Sequence, residues 1–220
     1  FKQDASGIDP SIDVVVVSTA IEKSNPEYQK AEQLGIPIVK RAELLALISN
    51  DKKTIAVGGT SGKSTTTAMI FHVLNDLGYS PSLITGAGLT SLQQEGLPGN
   101  AWVGQSEWLV IEADESDGSI VHYSPEISVL LNIDRDHKEY NELLQLFTAF
   151  KKNTRGHFIV NMDHDLAKKL SANNAYNFGT NDNSGIRGLS FAQSGYSISF
   201  FVNDISFQVH NVVIQQVVPF

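Results

Sequence analysis

The run TIAVGGTSGKSTTTAMIFHVLNDLG, residues 54 to 78, constrains the fold more than any other part of the chain. An apolar segment enters a glycine pair, then Gly62, Lys63 and Ser64, then apolar positions at helical spacing closed by Gly78. That order predicts a strand, a tight phosphate-binding turn and a helix, with the N–H groups of residues 59 to 64 converging on an anion at the helix N-terminus. In such a loop Lys63 reaches the β and γ phosphates of a nucleoside triphosphate as a point charge, and the Ser64 hydroxyl sits on Mg2+. The common form of this loop has a glycine six residues before the lysine. Position 57 is Val, so the turn is one residue tighter. The competing reading of the same residues is a solvated Gly/Ser turn with an ordinary surface lysine.

A strand of this kind belongs in a parallel sheet, and the surrounding sequence supplies the rest of one. IDVVVVS (12 to 18) is a Val-rich apolar run that suits a strand buried on both faces. NPEYQKAEQLG (25 to 35) carries helix signals in Asn25 as N-cap, Pro26 at the first position and Gly35 as a stop. IPIVK and AELLALIS add a strand and a helix; PSLITG, EWLVIEA, EISVLLNI and GHFIVNM add buried-strand candidates, and LLQLFTAFKKN is apolar at helical spacing. The alternation predicts an α/β fold with a doubly wound, mostly parallel sheet. Beyond about residue 176, period-two alternation broken by Gly, Asn and Ser predicts antiparallel hairpins. Residues 1–50 lack a strand and glycine-rich turn before IDVVVVS and read as the C-terminal part of a Rossmann-like domain, with 51–220 as a second domain. The expectation is therefore a fragment.

Composition narrows the chemistry. The absence of cysteine among the 220 residues removes disulfides, thiolate zinc sites and a cysteine nucleophile, so any metal is held by oxygen or imidazole. A formal net charge of −8 argues against nucleic acid or anionic lipid as the main partner. No apolar run approaches the roughly 20 residues needed to span a bilayer, and the first residues resemble no signal peptide. The reading is a cytoplasmic enzyme with a local cationic site.

Two further motifs follow apolar strands. IEADESDGS (111 to 119) sets Glu112, Asp114, Glu115 and Asp117 at the carboxyl end of WLVI, where open α/β sheets bind ligands. Beside a phosphate loop one of these carboxylates is a natural Mg2+ ligand, although a solvated acidic turn has the same composition. NIDRDHKEY (132 to 140) follows the next strand and brings Asp136 and His137 to the same edge; a capping Asp and a surface His are the bland alternatives. His72, His122, His157 and His164 lack such neighbours and read as structural or solvated.

Together GTSGKST (59 to 65), EADESD (112 to 117) and NIDRDH (132 to 137) resemble the Mur ligase family, in particular its alanine-adding type. DVVVVSTAIEKSNPE and IPIVKRAELLA are similar to the second half of that family's N-terminal uridine-nucleotide domain. The resemblance implies an ATP- and Mg2+-dependent ligase that activates the lactyl carboxylate of UDP-N-acetylmuramate as an acyl phosphate and joins it to L-alanine or another amino acid. It implies Gly59, Thr60, Ser61, Gly62, Lys63, Ser64 and Thr65 as the ATP loop. Lys63, Glu112 and His137 are the implied catalytic residues, and Ser64, Glu112 and His137 the metal ligands. Asn211, in HN at 210 and 211, is similar to the family's adenine-contacting asparagine. Ser61 stands where the alanine-adding type usually has His, and Lys152 receives no role. A tripeptide-recycling, folate or polyamino-acid ligase, a P-loop switch and a non-catalytic nucleotide sensor are the alternatives.

Overall fold

The computed structural model describes residues 4–135, 138–172, 175–195, 197–202 and 205–209. The first unit is β1 (Val15–Val17), α1 (Pro26–Gln33), β2 (Ile38–Lys40) and α2 (Arg41–Asn50), with β1 and β2 parallel in the register Val15 to Ile38. Helix α1 starts where its sequence says: Asn25 Oδ1 accepts from the N–H of Glu27 at 2.8 Å, and Gly35 follows the helix at φ +68°. The expectation of a strand buried on both faces fails for IDVVVVS. Val14 and Val16 are 42% and 43% exposed, because a two-stranded ribbon among the described residues has too few helices to cover both faces. Helix α2 turns to the larger sheet instead: Ala46 enters its core, Thr54 Oγ1 donates to Ser49 O at 2.6 Å, and the N–H of Ser124 donates to Asn50 Oδ1 at 2.8 Å.

The second unit runs β3 (Lys53–Gly58), α3 (Lys63–Asp76), β4 (Ser82–Ile84), α4 (Thr90–Gln94), β5 (Ala101–Trp102), β6 (Trp108–Glu112), β7 (Ile127–Leu130), α5 (Tyr140–Asn153) and β8 (His157–Val160). Short 3-10 turns at Ser119–His122 and Ala167–Leu170 punctuate it. The strands form a six-stranded sheet in the order β5-β4-β6-β3-β7-β8, parallel except for the edge pair of β4 and β5. Sequence reasoning assigned no element to α4 or β5, which have five and two residues and carry no readable period.

Alternate residues of β6 show why these strands read as continuous apolar runs. Leu109 and Ile111 join the cluster built by Leu143, Phe147 and Phe150 of α5, whereas Val110 joins the opposite cluster with Phe71 of α3, Leu83 and Leu92. Both faces of the sheet are thus covered by helices, and neither tolerates a polar side chain cheaply. Gly58 lets α5 approach the base of the loop: a Cβ there would meet Phe150 Cε1 at 3.1 Å.

Beyond the main sheet, β9 (Phe178–Gly179), β10 (Ile186–Ser194), β11 (Ser197–Val202) and β12 (Ile205–Val209) form a four-stranded sheet in the order β12-β11-β10-β9. The pairs β10–β11 and β11–β12 are antiparallel, as the alternating pattern predicts, while β9 runs parallel to β10. Asp163 ties this sheet to the end of β8. Its carboxylate accepts from the N–H of Thr180 and from Asn181 Nδ2, each at 2.7 Å.

Partial burial pushes the Asp163 carboxyl up, but the hydrogen bonds from Thr180 and Asn181 outweigh it and hold the group below its ordinary value. A depressed folded-state value means that this contribution to stability is complete above the unfolded pKa of about 3.9 and is lost as pH falls through the folded one. Thermal melts of Asp163→Asn should therefore be lower than wild type at pH 7, with the difference shrinking as pH is taken below about 4.

Candidate functional site

The ends of β4, β6, β3 and β7 lie side by side, and the described site residues are carried on or just beyond them. β3 delivers Gly58 and Gly59, the latter at φ +146°, and Gly62 at φ +78° caps α3 so that Lys63 and Ser64 open the helix. A side chain at Gly59 would place its Cβ 3.1 Å from Leu131 Cβ and 3.3 Å from Asn132 N. Only glycine combines that backbone with that approach. The tight turn leaves Val57 fully buried where the longer loop form would carry its glycine.

Asn132, just past β7, sets the shape of the loop. Its Oδ1 accepts from Thr60 Oγ1 and from the N–H of Ser61, both at 2.9 Å, and its Nδ2 donates to Ser61 O at 3.0 Å. The Thr60 hydroxyl accepts in turn from the N–H of Asp134 at 2.9 Å. Thr60 N–H also reaches Asn132 O at 3.3 Å, so the N–H groups of residues 60 and 61 are spent on the clamp. The first turn of α3, whose N–H groups have no intrahelical acceptor, is the part of the loop left to meet an oxyanion.

The acidic motif divides into two pairs. Glu112, the last residue of β6 and opposite Val57 in the ladder, turns Oε2 toward the loop. That oxygen accepts from Ser64 Oγ at 2.8 Å, Thr85 Oγ1 at 3.1 Å and the N–H of Gly86 at 2.9 Å. A Cβ at Gly86 would lie a tight 3.2 Å from the same oxygen, so the carboxylate would have to shift by a few tenths of an ångström. Glu115 faces Lys63, whose Nζ lies 3.0 Å from Oε2. The other two turn away from the loop: Asp114 accepts from the N–H of Ser116 and Asp117 from that of Ser119, each at 2.9 Å, and Asp117 also lies 3.9 Å from the Arg41 guanidinium of α2. Beneath them Tyr123 is buried with its hydroxyl 3.1 Å from Ser119 Oγ; burial pushes its phenol up, so it stays neutral.

The structure thus brings together Gly59, Thr60, Ser61, Gly62, Lys63, Ser64 and Glu112, with Thr65 exposed on the adjoining face of α3. His137 and Asn211 lie outside the described residues. His164 is a structural tether, its Nδ1 accepting from the N–H of Ala167 at 3.3 Å while Nε2 sits 3.1 Å from Asp134 Oδ1. Lys152 is exposed in the last turn of α5. Sequence reasoning missed Asn132, Thr85, Gly86 and the use of Glu115; each acts across neighbouring strand ends, and only the placement of their loops after apolar runs hinted at it. Next to Ser64 and Thr65 a groove of about 610 Å³ opens between α3 and residues 87 to 91, lined by Ala68, Met69, His72 and Leu89.

A strand, a glycine turn and a helix carrying Lys-Ser, set in a doubly wound sheet against a carboxylate from the neighbouring strand, define the class of P-loop α/β domains. Comparison with known proteins specifies it further. The Mur ligase middle domain matches residues 57–215, and the segment described as the Mur ligase family catalytic domain matches residues 1–53. The chain belongs to the Mur ligase family. It is 41% identical over 163 residues to the UDP-N-acetylmuramate--L-alanine ligase of Nostoc sp. (strain PCC 7120), covering 72% of this chain and 32% of the relative. To the ligase of the same name from Bartonella quintana it is 37% identical over 200 residues, which is 86% of this chain and 41% of that one. The chain therefore spans about a third to two fifths of the relatives it matches. Among solved structures it is similar to UDP-N-acetylmuramate-alanine ligase from Thermotoga maritima, with TM-score 0.76, 26% identity, and coverage of 90% of this chain and 46% of that one.

Because the loop is shaped by Asn132 and by the glycine at 59, both can be tested without ligand. In urea denaturation Gly59→Ala should lower unfolding free energy by about 1–3 kcal/mol through backbone strain and overlap, and Asn132→Ala by about 1 kcal/mol through loss of its hydrogen bonds to Thr60 and to the exposed Ser61.

Proposed function

We propose that the chain is the nucleotide-binding core of an ATP-dependent ligase of peptidoglycan precursor synthesis, joining L-alanine to the lactyl carboxylate of UDP-N-acetylmuramate. The observation that carries this reading is the meeting of Ser64 with Glu112, beside Lys63 at the start of the same helix, in a chain 41% identical to a ligase of that name. In this reading residues 1–50 contribute to a uridine-nucleotide domain and residues 51–220 form the ATP domain, and the protein works in the cytoplasm. No described helix is long and apolar enough to cross a membrane.

The first turn of α3 and Lys63 would hold the β and γ phosphates and offset the charge that spreads over the transferring phosphoryl group. The carboxylate oxygen of the acceptor forms a bond to the γ phosphorus as the bond to the β-phosphate oxygen breaks, giving an acyl phosphate and ADP. The amine nitrogen then bonds to the carbonyl carbon, phosphate leaves, and the amine loses a proton. Water is the competing nucleophile, so the chemistry needs an acceptor bound beside the loop before transfer.

The residues fit a magnesium ion. Glu112 and the Ser64 hydroxyl form an all-oxygen donor set, 2.8 Å apart, and Thr85 and Gly86 fix the carboxylate by bonds to the same Oε2. Bound there with ATP, Mg2+ would neutralise phosphate charge and let the anionic acceptor approach.

The test is ADP release by the longest form of the protein that contains this chain, with Mg-ATP, UDP-N-acetylmuramate and a panel of amino acids. Turnover that requires both the muramyl carboxylate and L-alanine is expected, and Lys63→Ala should reduce it by about a hundredfold or more. Glu112→Gln should raise the Mg2+ concentration needed for half-maximal rate. ADP release indifferent to the sugar nucleotide and the amine would overturn the reading.

A further inference from the structure

Glu115 has no part in the scheme above, yet it is among the most enclosed charges of the described chain. Its side chain is 6% exposed and that of Lys63 13%. The ammonium donates to both carboxylate oxygens, at 3.0 and 3.3 Å, and these are the hydrogen bonds that the carboxylate accepts among the described residues. Burial of a carboxylate is costly unless a partner compensates it. Glu112 has three donors for that purpose, and Asp114 and Asp117 use backbone N–H groups. Glu115 depends on Lys63.

The same ammonium is the group that would meet the terminal phosphates of a nucleotide. A polyphosphate and a carboxylate gathered around one ammonium in a partly buried site repel each other at short range, where water screens poorly. We propose that Glu115 is the counter-ion that Lys63 exchanges for nucleotide phosphate, a positioning residue that holds the ammonium in the free chain and competes with the ligand for it. This rests on the nucleotide reading above. Neutralising Glu115 acts on both sides of the binding equilibrium: it removes a competitor for Lys63, and it leaves the ammonium of the free chain without an anion. Nucleotide affinity rises while the nucleotide-free protein loses stability. A merely structural glutamate would lower stability without raising affinity.

Glu115→Gln keeps the shape of the side chain and one acceptor for Lys63, whereas Glu115→Asp keeps the charge. ADP binding to the longest form of the protein that contains this chain, unaltered and with each substitution, is measured by calorimetry, together with melting temperatures with and without ADP. The Gln variant should melt lower than wild type when free, bind ADP about tenfold tighter, and show a larger rise in melting temperature on ADP addition. The Asp variant should bind ADP no more tightly than wild type. A crystal structure of the unaltered chain with ADP should show Lys63 Nζ on phosphate and out of reach of Glu115, which decides the matter if the Gln variant does not fold. An unaltered chain that binds no ADP overturns the functional reading and this inference with it. ADP binding by the unaltered chain with unchanged or weaker binding by the Gln variant, or a bound structure in which Lys63 keeps both bonds to Glu115, overturns this inference alone.

Discussion

The site depends on one ladder. β3 is hydrogen-bonded on one side to β6, with Val57 opposite Glu112, and on the other to β7, with Gly58 opposite Leu130. Parallel pairing puts three carboxyl ends at one edge, so that a loop, an acid and an amide from distant parts of the chain arrive within hydrogen-bond distance of one another. A parallel ladder needs crossover connections; α3 lies in the one from β3 to β4 and α5 in the one from β7 to β8, and the two helices bury opposite faces. The continuous apolar runs of β3 and β6 are the sequence expression of that double burial. A one-residue slip of β6 would turn Glu112 into the core and Ile111 toward the loop.

Electrostatics divides the four carboxylates of the acidic motif by geometry rather than by composition. Two are spent away from the loop, Asp114 on the N–H of Ser116 and Asp117 on that of Ser119 and on Arg41, and two are turned on the loop. The loop-facing pair separates again by its partners. Glu112 is held by neutral donors and keeps its net charge available to a cation, while Glu115 is neutralised by Lys63. An acidic protein thus presents its phosphate loop without an uncompensated cation.

How much of this could be read from the sequence follows from the range of each interaction. The β3 strand, the glycine turn and the start of α3 were legible because their signals are local, as was the Asn25 cap of α1. The acidic motif was legible as a group because it ends an apolar strand, and the family resemblance singled out Glu112 among its four carboxylates. Asn132 lies 72 residues from Thr60, and Glu115 lies 52 from Lys63; no local pattern announces such pairings. Both sit inside motifs that the sequence marks as functional, so the region was readable and the partner was not. The error at Val14 and Val16 has a different origin. An apolar run reports that a strand can be buried on both faces, and the exposure at Val14 and Val16 is that of the described residues alone, in a chain that spans about a third to two fifths of its relatives.

The Asn132 clamp has a thermodynamic corollary. A phosphate loop that is ordered only by its ligand charges the cost of fixing several backbone residues to the binding step. Here the Asn132 side chain grips both the N–H and the C=O of Ser61 and the hydroxyl of Thr60, so that ordering is completed when β7 docks on β3. Recognition at such a loop is preorganised and loses little conformational entropy when the anion arrives. Affinity is then governed by charge and desolvation rather than by the folding of the loop.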